Sequence, residues 1–402
     1  MASIIQRNKS YAVIYYNKSE GNKSKQKWET YSTKGAAEKR KWEIENATAF
    51  LGIAPKLSSL SELLDEYIRV YGEVRWSYTS YSSRVSLIKR YIIPQIGKVR
   101  LSKIDGRFIS RYFHKLYNAQ IVDNKYNPAS SDVITGNTVH DIYKLLRSVF
   151  NQAVIWGIYS ESPMKNVRVQ KPFSRPRNIL SIEQVKEVVR VATEENTSLS
   201  IAIQLAFLGS LRKGEILALC WNDFDFEEGC VHITKELIRI ADRSLSAIVA
   251  QKPLYIFPTY KVNSKTHLVL KTPKTLTALR KVFLPKTLME NLLDYKENQK
   301  QKNGKIPYQL IFSNERGQPL ETGWVNKQFD ALLNQCELPK VVFHSLRHSS
   351  TTYKLLVSGG DIKSVQGDNG HASADMVLNV YARIQDEQRK DMANQMENVF
   401  YN

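Results

Sequence analysis

The chain opens with strand-like alternation and then turns to helical periodicity. Tyr11 to Tyr16 is β-branched and aromatic, Asn17 to Asn22 is a turn cluster, and Lys27 to Ser32 alternates large and polar side chains. That pattern predicts two strands of a small β unit. A helix over about Lys34 to Asn46 is expected next, with Ala36, Ala37 and Trp42 inward. From Ser58, the residues Leu60, Leu63, Leu64, Tyr67 and Ile68 fall at helical spacing, with Ser61 as candidate amino-cap. Further helices are expected over Ser77 to Tyr91, ended by Pro94, Ile96 and Gly97, over Ile104 to Tyr117, and over Thr135 to Trp156. The last carries the stripe Val139, Ile142, Leu145, Leu146, Phe150 and Val154.

Residues 169–177 hold two prolines among basic side chains and read as an extended linker. Beyond it, Ser181 to Gln184 forms a capping box that opens a helix. An apolar helix over Leu199 to Leu208 leads to Arg212, and Cys230 to Ile233 reads as a strand. Val262 to Leu284 contains further strands, and Pro285 to Asn298 returns to helix. Lys296 to Lys305 reads as a solvated loop, and Trp324 to Gln335 as a helix. A short helix over Asp375 to Arg383 and an amphipathic one over Asp386 to Val399 close the chain.

These elements predict a multidomain chain, mainly α with α+β. A small basic β domain with its linker covers 1–57, a helical domain 58–168, a linker 169–177, and an α+β domain with a carboxyl-terminal tail 178–402. A length of 402 residues suffices for them. Charge sharpens the picture: 58 lysines and arginines face 39 acids, a net charge of +19. Such an excess points to a polyanion, most often nucleic acid. Residues 1–48 alone hold 10 basic and 5 acidic side chains. Cys220, Cys230 and Cys336 are odd in number and lack metal-ligand spacing, as in a reduced cytoplasmic protein. No export signal and no membrane-length apolar run is visible, so a cytoplasmic location is expected.

The candidate chemistry lies between His344 and Tyr381. His344 and Arg347 are three apart, His371 follows Gly370, and Tyr381 comes ten residues later. A nucleophile, two imidazoles and a guanidinium within this span suggest chemistry on phosphate. His344 and His348 are four apart, but Ser345 stands where a zinc-protease helix needs glutamate, so no metal is expected. No phosphate loop is present, so neither a nucleotide nor any other cofactor is expected.

The series His344-x-x-Arg347, Gly370-His371 and Tyr381 resembles the carboxyl-terminal signature of the tyrosine recombinases, the lambda-integrase family. Gly209-Ser210-Leu211-Arg212-Lys213-Gly214-Glu215 resembles the family's first-arginine motif, with Ser210 at a usual glycine. Thr272 to Thr275 followed by Arg280 to Leu284 looks like its lysine-bearing β-hairpin. One departure is Asp368-Asn369 ahead of Gly370-His371, where the family has an apolar residue.

The resemblance implies a conjugative-transposon or phage-type integrase that cuts and rejoins duplex DNA through a 3′-phosphotyrosine, without metal or ATP. It implies Tyr381 as nucleophile and Arg212 and Arg347 on the phosphate. Lys274 becomes the general acid, with Lys271 nearby as a competitor. His344 and His371 become proton or hydrogen-bond donors, and Glu215 orients Arg212. An arm-type β domain, a core-binding helical domain and a homotetramer on DNA follow from it. An excisionase-like or DNA-bending accessory protein is a further expected partner. Arg84, Lys89, Arg90, Arg100, Lys171, Arg175 and Arg177 are candidate DNA contacts. Two other readings stay open: a type IB-like topoisomerase and a non-catalytic DNA-binding protein.

Overall fold

The computed structural model describes residues 3–7, 10–18, 24–38, 40–41, 57–121, 133–171, 178–241, 252–259, 263–273, 275–303, 309–370 and 393–401. Contacts divide the chain into two compact units, Met1–Ser174 and Arg175–Asn402. The division falls inside the stretch expected as linker.

In the first unit, β1 (Ser3–Arg7), β2 (Ser10–Lys18) and β3 (Ser24–Tyr31) form an antiparallel sheet. The sequence pattern missed β1, which is short and polar. Register places Ile4, Val13 and Glu29 in one row, and Gln6, Tyr11 and Tyr31 in the next. Alternation therefore sends Val13, Tyr11, Tyr15 and Tyr31 to one face. Ala37, from a helical stretch after β3, packs there with Val13 as the buried centre. The opposite face leaves Ile5 and Trp28 about half exposed, with Arg7 stacked over the Trp28 ring at 4.9 Å. Trp42 lies outside the described residues.

A separate helical cluster follows in the same unit. Helix α1 (Leu60–Glu66) is capped by Ser59, not Ser61. Ser59 has the extended backbone that a cap requires, and its hydroxyl accepts from the Glu62 amide. The helix runs on through a π-helical turn, Tyr67–Gly72, to Arg75. Helix α2 (Tyr78–Leu87) likewise continues through a π-helical turn, Ile88–Ile92, into Ile93–Ile96. Pro94 therefore does not end it. The widened turn places the proline in the first turn of a new helical segment, where its missing N–H is tolerated. Helices α3 (Gly106–Leu116) and α4 (Gly136–Ile155) complete the cluster, capped by Asp105 and Thr135. Leu63, Ile88, Ile109, Leu146 and Phe150 are fully buried in it.

The second unit has one large apolar core. Helices α5 (Ile182–Glu195), opened by the expected Ser181–Gln184 capping box, and α6 (Thr197–Leu208) lead to the short α7 (Lys213–Ile216). Two three-stranded sheets follow. One orders β4 (Phe224–Asp225), β5 (Cys230–Ile233) and β9 (Arg280–Phe283). The other orders β6 (Glu236–Ala241), β8 (Thr266–Lys271) and β7 (Tyr255–Ile256). The expected hairpin around Lys274 is thus a crossover: β8 pairs β6, and β9 pairs β5. Helix α8 (Lys286–Asn303) extends past the expected end. Residues 296–303 are helical, not loop, because Gln299 is buried and bonds both Trp221 Nε1 and the Ile311 carbonyl. Helices α9 (Thr322–Gln335), α10 (Ser345–Val357) and α11 (Ile362–Asn369) follow. Residues 393–401 form a separate helix with every side chain exposed. Among the described residues, no helix is long and apolar enough to cross a membrane.

Candidate active site

The site is built on the carboxyl-terminal end of α11. A helix leaves its last carbonyls without intrahelical partners, and they carry the negative end of its dipole. Three consecutive carbonyls here each accept from a different arginine. Arg280 Nε donates to Asp368 O at 2.8 Å, Arg347 Nη2 donates to Asn369 O, and Arg212 Nη2 donates to Gly370 O at 3.1 Å. Gly370 closes the helix in the left-handed region at φ 58°. A Cβ there would meet the Thr277 carbonyl at 2.9 Å and the Arg280 side chain at 3.0 Å. Both the conformation and the close approach require glycine.

Each arginine arrives on a different element. Arg212 precedes α7, which it joins in an extended conformation. It donates to Glu215 Oε1 at 2.6 Å, and its own amide donates to Oε2 at 2.9 Å. Its side chain remains a third exposed. Arg347 sits in the first turn of α10, is 2% exposed, and donates a second bond to Ser210 O. Burial, and then the neighbouring Arg212 charge, push its guanidinium down to about 9. That still leaves it cationic at neutral pH. Arg280 heads β9 and grips Glu215 with both Nη atoms, at 3.1 and 2.9 Å.

Glu215 is thus shared by two guanidinium groups at 2% exposure. Burial pushes its carboxyl pKa up, but the Arg280 and Arg212 charges and their hydrogen bonds override this and hold it below the ordinary value. The expected role of Glu215 as partner of Arg212 has its geometry here. Arg280 is a site residue that sequence reasoning passed over. The signal was present: Arg280 and Val282 share one face of β9, and Val282 and the following Leu284 belong to the core. An arginine on a core-facing row requires a buried acid.

His344 stands at the mouth of α10 as its amino-cap, exposed, with its ring 4.9 Å from that of His348 and nearly perpendicular to it. His344 and Arg347 therefore enter from one helix start. Lys271, the competitor for the general-acid role, is ion-paired to Glu236 at 2.7 Å. Lys274, His371 and Tyr381 lie outside the described residues. The Asp368-Asn369 departure is accommodated: Asn369 is fully buried and donates from Nδ2 to Thr351 Oγ1 at 3.0 Å. Its Oδ1 has no hydrogen-bond partner among the described residues.

In the helical cluster, Lys89 and Arg100 are exposed, and Arg90 is half-buried. Arg84 lies over the Trp76 ring at 4.8 Å, so part of it serves packing. Lys171 is exposed, whereas Arg175 and Arg177 lie outside the described residues.

With three arginines converging on one turn and an acid that holds two of them, the family comparison becomes decisive. The phage integrase family matches residues 178–388, more than half of the chain. This chain belongs to the phage integrase family. The integrase amino-terminal SAM-like domain matches residues 59–117. A XerC-like tyrosine recombinase of Caldanaerobacter subterraneus is 23% identical, covering 75% of this chain and 73% of the relative. The ICEBs1 integrase of Bacillus subtilis is also 23% identical, covering 74% and 76%. The Tn1549 transposon integrase, solved in complex with a circular intermediate DNA, shares the fold. Its TM-score is 0.62 at 17% identity, covering 83% of this chain and 99% of that one.

Proposed function

We infer that this integrase-family chain is a site-specific recombinase that cuts and rejoins duplex DNA to move an element in and out of a host sequence. The observation that carries the reading is the convergence of Arg212 and Arg347 on adjacent carbonyls, immediately before His371 in the chain. Two planar, bidentate cations at one point suit the two non-bridging oxygens of a scissile phosphate. In the proposed step, the Tyr381 oxygen attacks phosphorus and the bond to the 5′ oxygen breaks. Lys274 gives that oxygen its proton, and His344 and His371 donate to the phosphate or take the tyrosine proton. A 5′ hydroxyl from another strand then reverses the step and frees Tyr381. The phosphotyrosine keeps the bond energy, so no nucleotide is consumed.

The domain roles follow. The 1–57 sheet contacts arm-type sites through the face that carries Arg7 and Trp28. The 58–168 helices hold the core site through cations such as Lys89 and Arg100, and 178–402 cleaves. Assembly is read as a homotetramer on DNA. The helix of residues 393–401 exposes Met396, Val399, Phe400 and Tyr401. An open apolar groove of about 820 Å³ lies between α5, α6, α10 and α11, lined by Val185, Val189, Phe207, Tyr353 and Val357. An exposed apolar helix and an apolar groove that is open among the described residues suit head-to-tail docking between copies.

A nicked suicide duplex that traps the covalent intermediate tests the reading. Tyr381→Phe is expected to bind the duplex with unchanged affinity and to form no denaturation-resistant adduct. An adduct formed by the phenylalanine variant refutes the assignment. Truncation after Gln388 is expected to weaken higher-order complexes on DNA in sedimentation while single-site binding persists. Normal assembly by the truncated chain would make the tail a cap on its own fold.

A further inference from the structure

We propose that Arg280 is a positioning residue for DNA cleavage, acting through Glu215 and the end of α11 on the arginine that faces the phosphate. The inference rests on the recombinase reading above and adds to it a residue that never touches substrate.

The geometry is that of a clamp. All three nitrogen centres of the Arg280 guanidinium are occupied: Nη1 and Nη2 hold the two oxygens of Glu215, and Nε holds Asp368 O. Nη1 also donates to Ala278 O at 3.1 Å, which ties the clamp to the chain just before β9. The Arg280 side chain is 5% exposed, so it is enclosed by protein and has no surface left for a phosphate. The Arg212 side chain differs on both counts, being a third exposed and bonded to one Glu215 oxygen only.

The consequence for Arg212 is directional. Glu215 has two oxygens, and Arg280 bonds to both. With both taken on that side, the carboxylate offers Arg212 one strong side-chain bond rather than a fork. Without Arg280, Glu215 would be a buried carboxylate with a single cation, and a fork with Arg212 would be its best remaining pairing. That pairing draws the Arg212 donors toward the protein. The same loss would release Asp368 O, and with it the turn at Gly370 that feeds His371. The clamp also sits six positions after Lys274 on the same segment, so it anchors the strand that follows the expected general acid.

The test uses the full chain and the nicked suicide duplex. Arg280→Lys keeps the charge but loses the fork. It is expected to slow adduct formation by about ten- to a hundredfold, the range seen when a partner that orients a functional group is removed. Affinity for the intact duplex should change by less than about threefold, because other cations hold the backbone. A double variant with Glu215→Gln should be no slower than the slower of the two singles, since both break one clamp. A merely structural role would instead give additive rate losses or affinity losses as large as the rate losses. Arg280→Gln, with a planar amide, serves if the lysine variant lacks a cooperative melt. Loss of folding in both assigns Arg280 to the fold and overturns the proposal. Cleavage within about threefold of the native rate, with native affinity, overturns it as well. If the native chain itself forms no adduct, the recombinase reading fails instead.

Discussion

Two carboxylates in this chain gather several hydrogen-bond donors each, in opposite surroundings. Glu29, on β3, accepts from Tyr15 and Tyr31 at 2.6 Å each and from Arg40 Nε at 2.7 Å. Arg40 hydrogen bonding first, and the tyrosine hydroxyls next, hold its carboxyl down at about 2 against the upward push of burial. Among the described residues, the face of the sheet around it has a buried apolar centre of just Val13 and Ala37, with Ala12 and Ile14 buried on the other face. A unit this small cannot bury much area, and its polar cluster takes the place of apolar volume. Glu215 lies instead beside a core of dozens of apolar side chains and is 2% exposed. There the surrounding protein holds a charged network in place, and one member, Arg212, still reaches the surface. The first cluster spends its bonds on the fold, whereas the second leaves a cation available for chemistry.

Removing each carboxylate separates the two cases most widely. Glu215→Gln keeps the shape but leaves two guanidinium groups short of a counter-charge. It is expected to destabilise the catalytic unit by about 3–5 kcal/mol, the range for breaking a buried pair on one side. Glu29→Gln should lose about 1 kcal/mol, the ordinary net worth of a hydrogen bond. Denaturant melts of the full chain, with Trp28 fluorescence reporting the sheet, would compare them. Equal losses would dissolve the distinction between the clusters.

The arginines sharpen the same contrast on the kinetic side. Arg212→Ala or Arg347→Ala should slow cleavage of the suicide duplex at least about a hundredfold, the scale for losing one electrostatic donor. Duplex affinity should fall far less, because many phosphate contacts remain. Arg40→Ala, in the Glu29 cluster, should leave the cleavage rate unchanged. A near-normal rate for either catalytic-unit variant would make that arginine a structural ion pair like Arg40.

The spacing of His344, Arg347, Gly370, His371 and Tyr381 pointed to the family because those residues sit close together in the chain. Most helices were legible for a related reason: their apolar periodicity is local, and caps such as Ser181 and Thr135 mark their starts. What escaped depends on distant partners. Pro94 ended a helix on paper because nothing local announces a π-helical turn. Lys296 to Lys305 looked solvated because a buried residue within it, Gln299, is matched to Trp221, 78 positions away. Arg280 looked like an ordinary strand charge because its acid is 65 positions upstream.

Ser210 carries the smallest and finest test. It occupies the usual glycine of the first-arginine motif, with φ at 54°, and is fully buried. Its carbonyl accepts from Arg347, and its hydroxyl pairs with Ser350 Oγ at 2.5 Å. The left-handed backbone costs a non-glycine residue about 1 kcal/mol or more, and the hydroxyl pair returns about 1 kcal/mol. Ser210→Ala keeps the strain and loses the bond, so it should destabilise by about 1–2 kcal/mol, with Ser350 left unpaired. Ser210→Gly loses the bond but also the strain, and should fall within about 1 kcal/mol of the native chain. The two variants differ by one methyl group, so the gap between their melting midpoints isolates the strain. Cleavage rates should stay near native in both, because the carbonyl that holds Arg347 belongs to the backbone and remains. If alanine were as stable as glycine here, the backbone would be relaxed at this position, and the serine would be neutral rather than compensated.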